Sequence, residues 1–557
     1  MLVDSCKLPR DEVIETEVCI VGAGPAGITL AREFIGQKFR VCLLESGEIN
    51  FNHKTRSLSE CENIGYPPFL GLKDMRHRQY GGQANLWNIQ INDQQIGLRH
   101  VPFDEIDFEK RDWVPYSGWP FSRSHLNPFY ERAQSICKLG IFAYEAEAWE
   151  DVESPRVCFR GDKLTTTMFQ FGPSDIFTKE YRHEISQSPN ITTYINANVV
   201  ELETDETAKI VTRVRVACLS GNKFWVAAKI FILAAGAIEN ARLLLMSNQN
   251  QKAGLGNHND VVGRFFMDHP LIRCGMLFPK SRKIFNSMAL YDLRQVNNCS
   301  VMGKFTLTQQ VMRQEKLLNM SALLFPRDEK FQFSGNERAK SETIASVKIL
   351  VSAIKYNKIP KKALWHFGIA IANINHLLSF GYENYFNRKQ QYLFPNLSQG
   401  GWSYNKDNEQ KYVKFEVLSQ TEQAPNRNNR VTLSDIKDRL GYPQPRLTFY
   451  WNDINTDSIK RTQKIFAEEF ANAALGELQI EPLEGNVKIS THHNMGTTRM
   501  HLDPKQGVVD ENCQVHNVSN LFIAGSSVFP TGGYANPTLT IVALAVRLAD
   551  RVKTLFS

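Results

Sequence analysis

Apolar residues along the chain switch between strand-like runs and helical periodicity, which predicts βα units. Residues 17–21 form a short β-branched run, and residues 28–34 continue with apolar positions at helical spacing. A second apolar strand follows at 39–45. The same succession returns at 228–245 and 520–550, where a buried strand leads to an apolar helical repeat. The pattern predicts an α/β fold built from separated parts of the chain.

The middle of the chain has a different pattern. Residues 411–423 alternate in part between apolar and polar positions, as a strand does. Residues 344–354 and 364–378 place apolar side chains three and four positions apart on either side of Pro360. This spacing predicts two amphipathic helices joined by a turn.

The charge of this helical segment is also unusual. No Asp or Glu occurs between Thr343 and Tyr382, whereas five lysines do. One interpretation is a surface that contacts anionic lipid headgroups or presents a channel to a lipid-linked or anionic substrate. The other is a helical pair packed on a substrate domain, with a solvated lysine turn.

Composition places the chain among large globular enzymes. At 557 residues it exceeds the size of a single hydrophobic core, so two domains or one interleaved pair are expected. With 42% hydrophobic and 22% charged residues, a mainly disordered chain is excluded. The net charge of +7, without a block of like charges, disfavours nucleic-acid binding.

Cysteine usage and the N-terminus bear on the compartment. The ten cysteines show neither a CxxC pair nor zinc spacing, which disfavours a metal site and a disulfide framework and favours a reducing compartment. The N-terminus lacks the basic and apolar regions of a signal peptide, and no apolar run approaches the roughly 18 residues of a membrane span. We expect a cytoplasmic protein, with peripheral contact at a membrane surface through 341–386 left open.

The first strand ends in a glycine-rich turn that predicts a dinucleotide site. Gly22, Gly24 and Gly27 fill a GxGxxG pattern, which allows a tight turn, an approach to the pyrophosphate and close helix packing. Glu45 ends the second strand about 20 residues further on, where a carboxylate accepts the hydroxyls of an unphosphorylated ribose. No second fingerprint follows, so FAD alone is expected rather than a two-nucleotide reductase. Further expected contacts are the neighbouring Pro25, Ala26 and Ser46.

Other segments carry a family resemblance. Residues 81–87 read Gly-Gly-Gln-Ala-Asn-Leu-Trp, and residues 493–500 read His-Asn-Met-Gly-Thr-Thr-Arg-Met. With the glycine turn, they resemble the glucose-methanol-choline (GMC) oxidoreductases, in particular the bacterial sugar dehydrogenase and pyranose 2-oxidase branch. Residues 280–410 match poorly. The remaining matching stretches are 113–120, 234–237, 262–269 and the C-terminal block to residue 550.

The resemblance implies an α/β architecture of two interleaved domains. A Rossmann-like FAD-binding domain is expected from residues 1–105, 190–268 and 488–557, the last with the catalytic residues. An α+β substrate domain, with a mainly antiparallel sheet and helical additions, is expected from 106–189 and 269–487. The helical insertion falls around 341–386.

The resemblance also implies how the cofactor is held. In the family the Gly-Gly segment passes along the flavin, and in pyranose 2-oxidase a histidine at the place of Leu86 bonds covalently to it. A leucine cannot form that bond, so we expect non-covalent FAD. The helix at Pro537 would point its positive dipole end at the anionic reduced flavin. The contacts expected from the resemblance are Gly81, Gly82, Asn85, Leu86, Val200, Ala235, Gly236, Gly525, Ser526, Asn536, Pro537 and Thr538, with Trp87 equally open to core packing.

The resemblance places His493 beside the flavin as general base. Alcohol oxidation requires the hydroxyl proton to leave as the hydride departs, and imidazole, with a pKa of roughly 6.5, suits this task. Asn536 can donate an amide N–H to the same oxygen and stabilise the developing alkoxide. His492 would point to the opposite side of an extended segment and so pack or support the site. His501 is expected to be structural, and His269 a loop histidine.

The strand at 411–423 is expected to roof the flavin on the substrate side. Its candidate substrate contacts are Gln420, Glu422 and Gln423, for which an exposed polar edge is an equal alternative. His492 is added from the catalytic segment. No metal ligands are predicted.

These expectations combine into one function. The protein would oxidise a hydroxyl group of a carbohydrate, glycoside or related alcohol to a carbonyl by hydride transfer to flavin N5, as a dehydrogenase rather than an oxidase. No motif identifies the electron acceptor. The alternatives are a non-redox lyase on the same fold and a flavoprotein subunit acting at a membrane surface. An NADPH-dependent hydroxylase is disfavoured because the second nucleotide fingerprint is absent.

Overall fold

The computed structural model describes most of the chain. Its described residues are 1–66, 72–73, 75–87, 89–91, 94–331, 399–483 and 487–556, with helical positions at 343, 346–347, 349–351, 354, 363–372 and 374–375.

A six-stranded parallel sheet forms the core of the cofactor half. Its central strands Val18–Val21, Val41–Leu44 and Ile230–Leu233 are buried at every position. Strands covered on both faces need apolar residues throughout, which explains the continuous β-branched runs in the sequence. The spatial order is Leu2–Asp4, Ile191–Ile195, Val41–Leu44, Val18–Val21, Ile230–Leu233 and Leu521–Ile523.

Helices cover this sheet. Pro25–Glu33 packs on the central strands and against the C-terminal helix Thr538–Thr554, which also contacts Arg123–Ile136. Tyr181–Gln187 packs against Pro25–Glu33 as well. The helix Ala237–Met246 lies against strands of two smaller sheets. The first of these sheets has four strands, in the order Asn198–Thr204, Val211–Ala217, Lys223–Ala227 and Val13–Glu15. The second has three strands, in the order Arg430–Lys437, Pro443–Tyr450 and Glu62–Tyr66.

A large and mainly antiparallel sheet forms the other half. One face packs on the helix Asp453–Asn472, through residues such as Met168 and Val417. The opposite face, with Phe169 and Leu418, shares its core with the parallel sheet. The main order is Gln399–Gly400, Ile89–Ile91, Gln94–His100, Leu164–Gly172, Cys299–Leu307, Met320–Arg327, Lys414–Thr421, Leu271–Pro279 and Gly476–Ile480, with Arg294–Val296 and Val487–Lys488 paired at its sides.

The predicted fold class, a parallel α/β part with a mainly antiparallel second sheet and helical additions, is confirmed. The strands Ile191–Ile195 and Asn198–Thr204 are separated by a turn in which Asn196 has a φ of 59°. The remaining helices are His53–Arg56, Glu105–Phe108, Ile284–Ser287, Gln309–Glu315, Ala363–Ala372 and Asn408–Lys411.

The predicted helical insertion is described only in part. Ala363–Ala372 is helical, and most of the basic turn before it lies outside the described residues. Leu364, Phe367 and Ile371, which the spacing placed on the apolar face of this helix, are exposed. Among the described residues, no helix is both long and apolar enough to cross a membrane.

Candidate active site

The glycine turn opens a cleft at the carboxyl end of the parallel sheet. Gly22 has a φ of 108° and donates its N–H to the carbonyl of Leu44 at 2.7 Å. A Cβ on Gly27 would lie 1.9 Å from the carbonyl oxygen of Gly22, so only glycine lets the helix Pro25–Glu33 start this close to the strand. The two glycines therefore shape the turn.

Three glycines at the ends of neighbouring parallel strands leave room in the cleft. A Cβ on Gly24, Gly236 or Gly525 would meet no atom within 4 Å, and all three residues line the cleft. They follow three adjacent strands of the sheet, where open α/β sheets bind nucleotides. Such a cradle at a helix N-terminus suits a pyrophosphate. The residues present thus fit FAD.

Glu45, expected to accept the ribose hydroxyls, lines the same cleft. Its carboxylate accepts N–H groups from Ala23 at 2.9 Å and Gly47 at 2.8 Å, and the Ser46 hydroxyl at 3.1 Å. Burial raises the pKa of Glu45, while these hydrogen bonds and the nearby Arg78 act in the opposite direction. The carboxylate is therefore held in place on the cleft wall.

An arginine cluster at the cleft escaped the sequence analysis. Arg76, Arg78 and Glu239 line the cleft, and Arg78 forms an ion pair with Glu239 at 2.8 Å. Burial alone would raise the pKa of Glu239, but Arg78, Arg242 and Arg76 hold it far below its usual range. Nε of Arg78 has no hydrogen-bond partner among the described residues. Arg78 thus adds a positive charge to the cleft wall, three positions before the Gly-Gly segment.

The Gly-Gly segment lies against the glycine turn. Gly81 has a φ of 94° and donates its N–H to the Ala23 carbonyl at 2.8 Å. Asn85 uses its amide within the segment, donating to the carbonyls of Tyr80 and Gly82 at 2.9 Å each. Leu86, in contrast, lines the cleft and is 40% exposed.

The predicted cofactor residues divide into two groups. Five of them are not among the residues that line the cleft: Gly27, Gly81, Asn85, Val200, whose neighbour Val199 does line it, and Asn536, which contacts the lining residue His493. The predicted residues that line the cleft are Gly22, Gly24, Pro25, Ala26, Glu45, Ser46, Gly82, Leu86, Ala235, Gly236, Gly525, Ser526, Pro537 and Thr538, together with Trp87.

The structure brings His493 and Asn536 together. Nδ2 of Asn536 lies 3.2 Å from Nε2 of His493, and His493 lines the cleft. Nε2 of Gln420 donates to the Tyr534 carbonyl at 2.5 Å and lies 3.4 Å from Oδ1 of Asn536. The Asn536 amide thus has its oxygen toward Gln420 and its N–H group toward the imidazole.

A buried carboxylate holds the loop that carries His493. Oδ1 of Asp268 accepts backbone N–H groups from His269, Thr491 and His493 at 2.7 to 3.1 Å. Its Oδ2 accepts from the Ser490 hydroxyl and the Asn494 amide at 2.8 Å each. Burial raises the pKa of Asp268 to about 6, against the effect of these bonds.

His269 is part of this site, and the expectation of an ordinary loop histidine misses that role. It is fully buried, and its Nδ1 lies 3.0 Å from Nδ1 of His493. Its Nε2 lies 3.1 Å from the carbonyl oxygen of Gly532. The one sequence signal was its place at the end of the matching stretch 262–269.

The proposed substrate contacts occupy different places. Glu422 is buried in an ion pair with Arg111, and Oε1 of Gln423 accepts the Asp268 N–H at 3.0 Å. Neither side chain lines the cleft, and Gln420 lies behind Asn536. His492 does line the cleft, in a left-handed conformation with a φ of 69°.

Comparisons with known proteins agree with this geometry. Residues 425–545 match the family model described as GMC oxidoreductase. The chain is 26% identical over 363 residues to the fructose dehydrogenase large subunit of Gluconobacter japonicus, a match covering 64% of this chain and 53% of that protein. The chain thus spans about half the length of this relative.

Two further comparisons extend over almost the whole chain. The 2-methyl-1,2-propanediol dehydrogenase of Mycolicibacterium austroafricanum is 24% identical over 594 residues, covering 98% of this chain and 96% of that protein. The crystal structure of formate oxidase shares the fold, with a TM-score of 0.54, 16% identity and coverage of 98% and 99%. The C-terminal part of the chain thus resembles the GMC oxidoreductases, and the whole chain shares its fold with formate oxidase.

Proposed function

We propose that the protein oxidises a hydroxyl group of a carbohydrate, glycoside or related alcohol to a carbonyl. The observation that carries the proposal is the contact between His493 and Asn536 at the wall of the cofactor cleft. The names of a fructose dehydrogenase subunit and a diol dehydrogenase among its relatives support the substrate class.

The two side chains divide the chemistry. His493 takes the hydroxyl proton, because an alkoxide releases hydride far more readily than an alcohol. Asn536 donates an N–H group to the same oxygen and stabilises its developing negative charge without competing for the proton. Bound FAD supplies the hydride acceptor.

We further propose that FAD is held without a covalent bond and that the enzyme is a dehydrogenase. Leu86 lines the cleft where a linking histidine would be needed, and its side chain has no nucleophilic atom. The two sequence relatives reported above are named dehydrogenases, whereas the structural neighbour is an oxidase; the sequence relatives support an acceptor other than dioxygen. Acid precipitation should release all of the flavin into the supernatant.

An anaerobic experiment tests the central proposal. The purified yellow protein is mixed with sugars, glycosides and simple alcohols, and loss of flavin absorbance is followed by stopped flow. His493→Ala should keep FAD but reduce it at least about 100-fold more slowly, as expected on losing a general base. His501→Ala is the matched control, because His501 lies outside the cleft lining. Reduction of His493→Ala at the parental rate would remove the base from the mechanism.

The helix Ala363–Ala372 supports a second proposal, contact with an anionic membrane surface. Leu364, Phe367 and Ile371 are 90%, 58% and 59% exposed, whereas His366 is buried beside the Ser346 hydroxyl. Two lysines directly precede the helix in the sequence, and no acidic residue lies near it along the chain. Exposed apolar side chains next to lysines suit binding at the headgroup level.

Vesicle sedimentation tests this contact. The protein should bind vesicles that contain phosphatidylglycerol and not vesicles of phosphatidylcholine alone. The triple variant Leu364→Ser, Phe367→Ser, Ile371→Ser should lose binding at least about 10-fold through lost apolar burial. The control Ile141→Ser, Leu502→Ser removes apolar side chains that are each 62% exposed elsewhere. Equal binding by the triple variant and the control would exclude the helix as the contact.

A further inference from the structure

Two histidine rings meet beside the cleft, and a single proton must lie between them. Nδ1 of His269 is 3.0 Å from Nδ1 of His493. Two ring nitrogens form a hydrogen bond only when one carries the proton and the other the lone pair. The remaining contacts of the two rings decide which is which.

The contacts of His269 identify it as the acceptor. Its Nε2 lies 3.1 Å from the Gly532 carbonyl oxygen, which can only accept, so Nε2 carries a proton. The ring is fully buried, and burial lowers its pKa to about 4. At neutral pH the ring therefore has one proton, on Nε2, and a lone pair on Nδ1.

His493 must then be protonated on Nδ1. Oγ1 of Thr491, 2.9 Å from this nitrogen, is a second acceptor, because its own hydroxyl can donate to the His269 carbonyl at 3.0 Å. The neutral His493 ring consequently has its lone pair on Nε2. That atom is the one 3.2 Å from the Asn536 amide nitrogen.

We propose that His269 is a positioning residue that holds the resting proton of His493 on Nδ1 and so directs the basic lone pair to Nε2, beside Asn536. The proposal rests on the proposed function. The hydroxyl proton passes to Nε2 as the hydride leaves the substrate carbon and the C–O bond becomes a carbonyl. The resulting imidazolium carries protons on both nitrogens, and its Nδ1–H still bonds His269.

Among the described residues, Asp268, His492 and Glu422 are the other titratable groups that bear on the pair. Asp268 accepts the backbone N–H of His493, and His492 is its neighbour in the chain. Glu422 acts on the pKa of His269 from a distance and is itself ion-paired with Arg111. Removal of the His269 ring takes a hydrogen-bond acceptor from the His493 imidazolium, so the pKa of His493 should fall.

The test compares His269→Leu with His269→Asn in the FAD-loaded protein. Asparagine can present Oδ1 near the position of Nδ1 and restore an acceptor, whereas leucine cannot. The first-order rate of flavin reduction at saturating substrate is measured from pH 5 to 9. We expect a loss of about 10- to 100-fold in the leucine variant, the range for residues that orient a functional histidine. In the pH profile of the reduction rate, the acid limb of His269→Leu should shift to lower pH. His269→Asn should recover most of the parental rate.

A second readout does not depend on turnover. Diethyl pyrocarbonate acylates neutral imidazole, so the pH dependence of His493 modification, followed by peptide mass spectrometry without substrate, reports its pKa. The midpoint should be lower in His269→Leu than in the parent and near the parental value in His269→Asn. If no alcohol or sugar reduces the flavin of the parent, the proposed function fails. The pH midpoint of His493 modification still tests the role of His269 in that case. Equal midpoints in the parent and the leucine variant, or equal reduction rates in the leucine and asparagine variants, would overturn the proposal.

Discussion

Two groups of polar residues, one beside the cleft and one on the antiparallel sheet, are built in opposite ways. The histidine network comprises Asp268, His269, Thr491, His493 and Asn536, and hydrogen bonds link its members. The sheet group comprises Arg99, His100 and Lys304, on the antiparallel sheet. Among the described residues its side chains form one hydrogen bond, from Nζ of Lys304 to the Met168 carbonyl at 2.8 Å, and no ion pair.

The difference shows in the pKa values of the sheet group. Burial lowers the pKa of Lys304 to about 7, that of Arg99 to about 10 and that of His100 to about 3. Buried charge without a partner is costly, whereas a fully bonded network is held in one arrangement. The histidine network is therefore held in one arrangement beside the cleft. The cations of the sheet group, Lys304 and Arg99, lie 4.2 and 5.4 Å from the centre of the Phe169 ring but form no ion pair among the described residues, so we expect this group to lower stability.

Breaking the histidine network at Asp268 should have the largest effect. Asp268→Ala leaves three backbone N–H groups, one buried and two partly buried, without this acceptor, at about 1–3 kcal/mol for a buried group. The free energy of unfolding from urea titration should fall by at least about 3 kcal/mol, and flavin reduction should slow about 100-fold or more. Asp268→Asn keeps one oxygen acceptor and should lose less of both. Equal losses in the two variants would show that these hydrogen bonds do not support the loop.

Replacing Lys304 should raise the free energy of unfolding rather than lower it. The pKa of Lys304 is about 7 in the folded protein and near its usual 10.5 when unfolded, so between these values the unfolded chain binds an extra proton. Parental stability should therefore rise as pH increases from 7 toward 10. Lys304→Met should be more stable at pH 7, by about 1–3 kcal/mol after loss of the Met168 bond, and should lack this rise. Urea denaturation midpoints of the parent and the variant are measured at pH 7 and pH 9. If the midpoint changes equally between these pH values in both proteins, the prediction is wrong.

His100 should give the smallest effect. Its ring is fully buried and has no hydrogen-bond partner among the described residues. It packs edge-on against Trp87, with 6.0 Å between the ring centroids. Because the folded pKa is about 3 and the unfolded one about 6.5, the parent loses stability as pH falls through this window. His100→Leu should match the parent within about 1 kcal/mol at pH 8 and exceed it at pH 5. A loss above about 2 kcal/mol at pH 8 would reveal a hydrogen bond made by the ring.

The sequence predicted the cofactor half better than the substrate half. Gly22, Gly24 and Gly27 form a local motif, and the strand and helix around them follow from a few consecutive residues. Glu422 shows the limit, since it was a candidate substrate contact and instead pairs with Arg111 from a distant part of the chain. His269 was missed for the same reason, because its partner lies more than 200 residues away.

The sequence by itself determined the α/β class, the nucleotide turn and the types of residue available for alcohol oxidation. These depend on short-range periodicity, glycine conformation and side-chain chemistry. Only the tertiary structure decided which polar residues share hydrogen bonds, and hence which ring nitrogen of His493 is basic. Proton position depends on contacts between elements far apart in the chain, and no local pattern encodes those contacts.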